Sequence, residues 1–141
     1  MSGRDTIAFV LYFVCVLMSI GFGVMLLFCK TLLPYHKKVI TMTWEELSPG
    51  LQVLLQCFIK IAAAGFLVTG VAVLILLLIP FRQGHQWAHW AIPLLGFVFF
   101  SFSLYCAARQ AIKTHVATPW PVNVLALIMN IVAFILSPGF G

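Results

Sequence analysis

The sequence predicts an all-α integral membrane protein, a four-transmembrane-helix antiparallel bundle in a single domain covering 1–141. Two observations predict it. Residues 61–79 form an uncharged run of nineteen, and at about 1.5 Å per residue that run spans roughly 28 Å, close to the hydrocarbon thickness of a bilayer. Over the whole chain 63% of residues are apolar and 8% are charged, against roughly 25% charged in a soluble domain. A soluble fold of this composition would expose large apolar patches. The length suits about four spanning helices and leaves no stretch for a separate soluble domain.

The first helix is expected over 7–29. Arg4 before an apolar run resembles the start of a secretory leader, but a run of twenty-three residues exceeds the h-region of about 7–15. The run leads into Cys29-Lys30 with no small-x-small cleavage pattern there, so the segment is kept as a spanning helix. Within it Ser19, Gly21 and Gly23 leave part of one face with little side-chain volume, which lets a neighbouring helix approach closely.

The connector over 30–50 is polar, with Lys30, His36, Lys37, Lys38, Glu45 and Glu46. A short turn is expected at Thr43-Trp44-Glu45-Glu46, and Ser48-Pro49-Gly50 marks the start of the next helix, over 51–80. Gln52, Gln56 and Lys60 recur every four residues and share a helical face. That stripe reads either as an interfacial turn whose lysine snorkels to the headgroups or as a contact for a partner or ligand. A lysine within a span is costly unless it is solvated or paired.

The turn over 81–86 is short enough to set the second and third helices antiparallel and adjacent. Trp87 and Trp90 are placed at the headgroup level of the third helix, 87–108, which holds Pro93 and stops at Arg109. A second connector with Lys113 and His115 leads to Pro119-Trp120-Pro121, which starts the fourth helix over 120–137. There Asn123, Ala126, Asn130, Ala133 and Ser137 are spaced 3, 4, 3 and 4. All therefore share one stripe, which should face the other helices. Asn130, near the middle of the bilayer, needs a hydrogen-bond partner, because an unpaired amide in hydrocarbon costs several kcal/mol. It serves either as interhelical glue or as the lining of a ligand pocket. Gln52, Gln56, Lys60, Asn123 and Asn130 are thus the candidate partner or ligand contacts.

Catalytic chemistry has little to work with. The carboxylates are Asp5, Glu45 and Glu46, so no acid pair lies inside the bilayer and no nucleophile-base set is visible; an enzyme is not expected. Cys15, Cys29, Cys57 and Cys106 form no C-x-x-C and are expected to be free, buried thiols. His85 and His89 are four residues apart, a spacing compatible with a metal if both lie on one helical face, although solvated interfacial histidines are the expectation. No catalytic residue, metal or cofactor is assigned; bound lipid is compatible with everything above. A transporter is poorly supported, with no charge deep in the bilayer and no inverted repeat.

Arg4 and Arg82 fall on one side of a four-span arrangement, and Lys30, Lys37, Lys38, Arg109 and Lys113 on the other. The longer connectors are therefore expected in the cytoplasm and both termini outside. The net charge of +5 suits anionic headgroups, and nothing points to nucleic acid. The architecture is similar to that of many small bacterial inner-membrane proteins, and that membrane is the expected location. By exclusion, the expected role is a non-catalytic accessory or scaffolding subunit of a larger membrane complex, with membrane lipids and other integral subunits as partners. The alternative is a small-molecule-binding membrane protein holding lipid, quinone, haem or metal between its helices.

Overall fold

A computed structural model of the chain describes residues 3–137, and every regular element among them is helical. The helices are α1 (Gly3–Phe28), α2 (Pro34–Ile40), α3 (Pro49–Leu76), α4 (Gln86–Thr114) and α5 (Trp120–Leu136), with α3 running on through a π-helical turn at Leu77–Phe81. Three of these, α1, α3 with its π turn, and α4, are long and apolar enough to cross a membrane. Their outer faces carry large apolar side chains such as Ile61, Val68, Leu94 and Phe102, each more than 60% exposed. Such a surface is stable only in lipid, and the chain is a helical membrane protein. At 17 residues α5 is shorter, about 25 Å long at the usual rise.

The first helix, α1, is the hub. One side of it packs along α3 and the other along α5, and α5 packs in turn against α4. Small residues explain the closeness of α1 to α3. A Cβ on Gly23 would come within 2.8 Å of Leu67 Cγ, and one on Gly70 within 2.6 Å of Ile20 Cγ1. Ser19 Oγ also donates to the carbonyl of Phe66 at 2.8 Å. Gly21, which the sequence groups with them, faces open space. In α5 the stripe points inward, with Ala126, Asn130, Ala133 and Ser137 all buried and Asn123 half-buried at the end.

The helices α3 and α4 behave differently from the adjacency that the short turn suggests. They meet sparsely along their length. A groove lies between them, and the rings of Phe66 and Phe99 bridge it edge to face, with centroids 4.7 Å apart. The turn between them follows from Pro80. Proline has no N–H and its ring crowds the preceding turn, so the helix widens to a π turn before it ends. Gly84, at φ +78°, then takes the left-handed conformation that closes the reversal.

Two boundaries differ from expectation. The polar connector contains α2, whose start at Pro34 and basic last turn at Lys37 and Lys38 are ordinary helix-end signals. And α4 continues past Arg109 to Thr114, since a charge ends the apolar span without ending the helix, and Arg, Gln, Ala and Lys are good helix formers. The turn expected at Thr43–Glu46 is present, with Thr43 N donating to Glu46 Oε2 at 2.7 Å. Ser48 Oγ caps α3 by accepting from Leu51 N at 3.4 Å, as its sequence position implies.

Candidate functional site

The separation of α3 from α4 opens a groove of about 1250 Å³, larger than the roughly 300–1,000 Å³ of ordinary small-molecule pockets. Its floor is formed by α1 and α5, including Phe22 and Ala126, and its walls by α3 and α4, including Ala62 and Val98. From Leu94 to Gln110 the α4 wall runs about 24 Å. The lining is almost wholly apolar along the spans.

Polar groups gather at one end, beside α2. Tyr35 and His36 of α2, Gln110 of α4 and Asn123 of α5 all line the groove. His36 Nδ1 is buried and has no hydrogen-bond partner within the described residues, while its ring packs against that of Tyr35 at 4.1 Å. Burial lowers the pKa of His36. Burial, and secondarily the nearby Cys29 thiol, raises that of Tyr35. Desolvation disfavours the charged form of both, so at neutral pH they present an uncharged imidazole and a phenol. Asn123 Nδ2 reaches the Pro119 carbonyl only at 3.5 Å. Just beyond them Lys37 and Lys38 follow His36, and Arg109 and Lys113 flank Gln110; all four are exposed.

α2 is held in place by packing. Leu26, Leu32, Leu33, Leu47, Ile59 and Ala63 form a buried cluster against which Tyr35, Ile40 and Trp44 pack. The sequence-predicted polar stripe supports this end from below. Gln52 Nε2 donates to the carbonyls of Trp44 and Leu47, at 2.7 and 3.2 Å. Gln56 Nε2 donates to Lys30 O at 3.0 Å. Lys60 Nζ donates to the carbonyls of Leu27 and, at 3.0 Å, Cys29. The last carbonyls of a helix have no partner within it, so the stripe completes the C-terminus of α1 and the loop after it. Its donors already have acceptors inside the chain.

Asn130 is buried about two turns further along the α5 stripe from Asn123, against Gly96 of α4. The two asparagines therefore occupy different surroundings, Asn123 on the groove and Asn130 in the bundle core.

The histidine pair does not converge on a metal. His85 precedes α4 with an extended ψ of 117°, is exposed, and shares a hydrogen bond with Gln83 at 3.1 Å. His89 lies within the first turn and is buried, with Nδ1 bonded to Ser137 Oγ and its ring against Phe81. The i, i+4 relation needs both residues inside the helix, and His85 is outside it. His89 is thus a core residue and not the solvated one expected. Among the described residues no group of three or more His, Cys, Asp or Glu could hold a metal ion. All four cysteines are free, yet only Cys15 is buried; Cys57 and Cys106 are exposed, Cys106 on the groove, where apolar surroundings accept a thiol as readily as a core does.

Comparison of the chain with known protein families, with curated proteins and with solved structures finds no match.

The groove itself escapes sequence reasoning. Its polar end combines α2, α4 and α5, and no local spacing links those segments. Pro34 followed by a tyrosine-histidine-lysine-lysine run was the one local signal for it.

Proposed function

We propose that this chain is a four-span membrane protein that holds a long-chain anionic lipid between α3 and α4, with the lipid's polar head at the α2 end. The observation that carries the reading is the groove. It is apolar along the spans, opens between two helices toward the bilayer, and ends at polar side chains beneath four exposed cations. This matches the polarity profile of an amphiphile, and basic residues at the headgroup level attract anionic heads.

Four crossings are supported by α5, whose inward stripe packs on α1 and α4 while Leu125, Ile128 and Ile135 are left for lipid. A helix of its length spans a bilayer with local thinning at modest cost. The excess of Lys and Arg on the α2 side supports a cytoplasmic position for it, with both termini outside, in a bacterial inner membrane. Binding is favoured over an accessory role because the stripe of Gln52, Gln56 and Lys60, the polar face open to a partner subunit, is engaged by carbonyls of this chain. Haem and metal forms draw no support from the diverging histidines.

The test is native mass spectrometry of protein purified in mild detergent from its own membranes, beside a groove-filling variant, Ala62→Phe with Val98→Trp. Expected is one anionic phospholipid per chain, lost in the variant at unchanged helicity. Lipid-free protein, or stoichiometric recovery of large membrane subunits that the variant no longer retains, would overturn the reading, and the second result would restore the accessory role.

A further inference from the structure

Behind the groove, where α1, α3, α4 and α5 meet, lies a second and much smaller space of about 20 Å³. Tyr12 and Asn130 both line it. They are among the most buried residues of the chain, 1% and 2% exposed, and Tyr12 Oη and Asn130 Oδ1 have no hydrogen-bond partner within the described residues. The neighbouring polar groups do not supply the missing bonds. The Ser19 hydroxyl hydrogen goes to Phe66 O at 2.8 Å, and the Cys15 thiol is directed to Ala126 O at 3.7 Å.

A buried polar atom left unpaired is costly anywhere, and inside a bilayer no solvent is at hand to relieve it. Direct pairing of Tyr12 with Asn130 is not made, although a phenol hydrogen and an amide oxygen are complementary. A space that admits about one water, lined by two to four polar atoms, is where buried waters are found. Tyr12, Cys15, Ser19, Thr69 and Asn130 are the polar residues that line it.

We infer that one ordered water molecule occupies this space and joins Tyr12 of α1 to Asn130 of α5. It accepts the Tyr12 phenol hydrogen and donates to Asn130 Oδ1. Its second hydrogen meets the free lone pairs of the Ser19 or Thr69 hydroxyl, both of which also line the space. The bond network then connects α1, α3 and α5 at mid-bilayer, where the apolar contacts around it are not directional. Ser19, Thr69 and Phe100 line both this space and the groove. The site is independent of what the groove holds.

Tyr12→Phe removes one hydroxyl and no carbon, so it tests the bridge without opening a large cavity. If water bridges the pair, the variant removes the donor that holds the water and raises the unfolding constant in mixed micelles about fivefold or more. If the space is dry, the same variant deletes an unpaired hydroxyl and leaves stability equal or higher. A second measurement is a water cross-peak to the Asn130 side-chain amide protons by NMR, expected in the wild type and lost in Tyr12→Phe. Unchanged or increased stability of Tyr12→Phe, or the absence of that cross-peak from the wild type, overturns the inference.

Discussion

Asn130 of α5 lies directly on Gly96 of α4: a Cβ at position 96 would come within 1.7 Å of Asn130 Nδ2 and 2.9 Å of its Cγ. The amide therefore fills the volume that glycine leaves open, and α4 approaches α5 as closely as it does because of that pair. Gly96→Ala should destabilise the bundle by about 1–3 kcal/mol through overpacking, even though alanine is the better helix former by about 1 kcal/mol. Gly96→Ala combined with Asn130→Ala should lose less than the sum of the two single changes, because the clash and its partner vanish together. Unfolding in mixed micelles measures both, and additive losses would show that the two residues do not press on each other.

Glycines along the α1–α3 seam divide by what surrounds them. Gly23 and Gly70 face the opposite helix, Gly23 with the Leu67 backbone nitrogen 3.1 Å from its would-be Cβ and Gly70 with that of Ile20 at 3.3 Å. Gly21 faces open space and Gly65 meets Phe99 at an ordinary 3.7 Å. Gly23→Ala and Gly70→Ala should each cost about 1–3 kcal/mol. Gly21→Ala and Gly65→Ala should be neutral or stabilising by up to about 1 kcal/mol. The same unfolding assay ranks all four, and equal effects across the set would refute the seam.

What the sequence made legible was whatever a single helix decides. The 3-4-3-4 spacing of Asn123 to Ser137 identifies the inward face of α5, and the uncharged run 61–79 identifies a span, because helical geometry alone relates those residues. The acceptors of Gln52, Gln56 and Lys60 could not be read, since they are backbone carbonyls on another segment. Tyr12 was silent for a related reason. A lone tyrosine in an apolar run carries no period, and its burial depends on α3, α4 and α5 closing over it. The groove depends on how far apart two spans stand, and apolar residues surround membrane helices on every side.

The stripe below α2 predicts a local effect on stability. Lys60→Met keeps the aliphatic stem but removes the donor to Leu27 and Cys29. About 1 kcal/mol is expected, the ordinary net contribution of such bonds, and Gln56→Leu should add to it by freeing Lys30 O. Hydrogen exchange should report the loss in the segment 27–33 and leave α5 protected. A loss spread evenly over the chain would mean that the stripe does something other than cap α1.

Cysteine reactivity separates groove from core. Cys106 lines the groove and is exposed, whereas Cys15 is buried between α1 and α5. A lipid-soluble maleimide should therefore label Cys106 quickly and Cys15 only after unfolding. Added anionic phospholipid should slow labelling at Cys106 more than at Cys57, which is exposed but does not line the groove. Equal slowing at both cysteines would locate the lipid outside the groove.

His36 gives the α2 end a dependence on pH. Burial holds its pKa below the ordinary histidine value of about 6.5, so the docked state binds fewer protons than the undocked one as pH falls through that value. Stability is then lost on acidification from about 6.5 downward until the docked imidazole itself charges, and it does not change with this group above about 7. The loss arises because His36 Nδ1 is enclosed without a hydrogen-bond partner, so burial penalises the charged imidazole. His36→Gln removes the titration but keeps a polar side chain of similar reach. The difference between wild-type and variant unfolding midpoints should therefore shrink or reverse in favour of the variant between about pH 7 and pH 5. Contributions common to both proteins cancel in that difference. A pH-independent difference would mean that α2 undocks without exposing His36 to water.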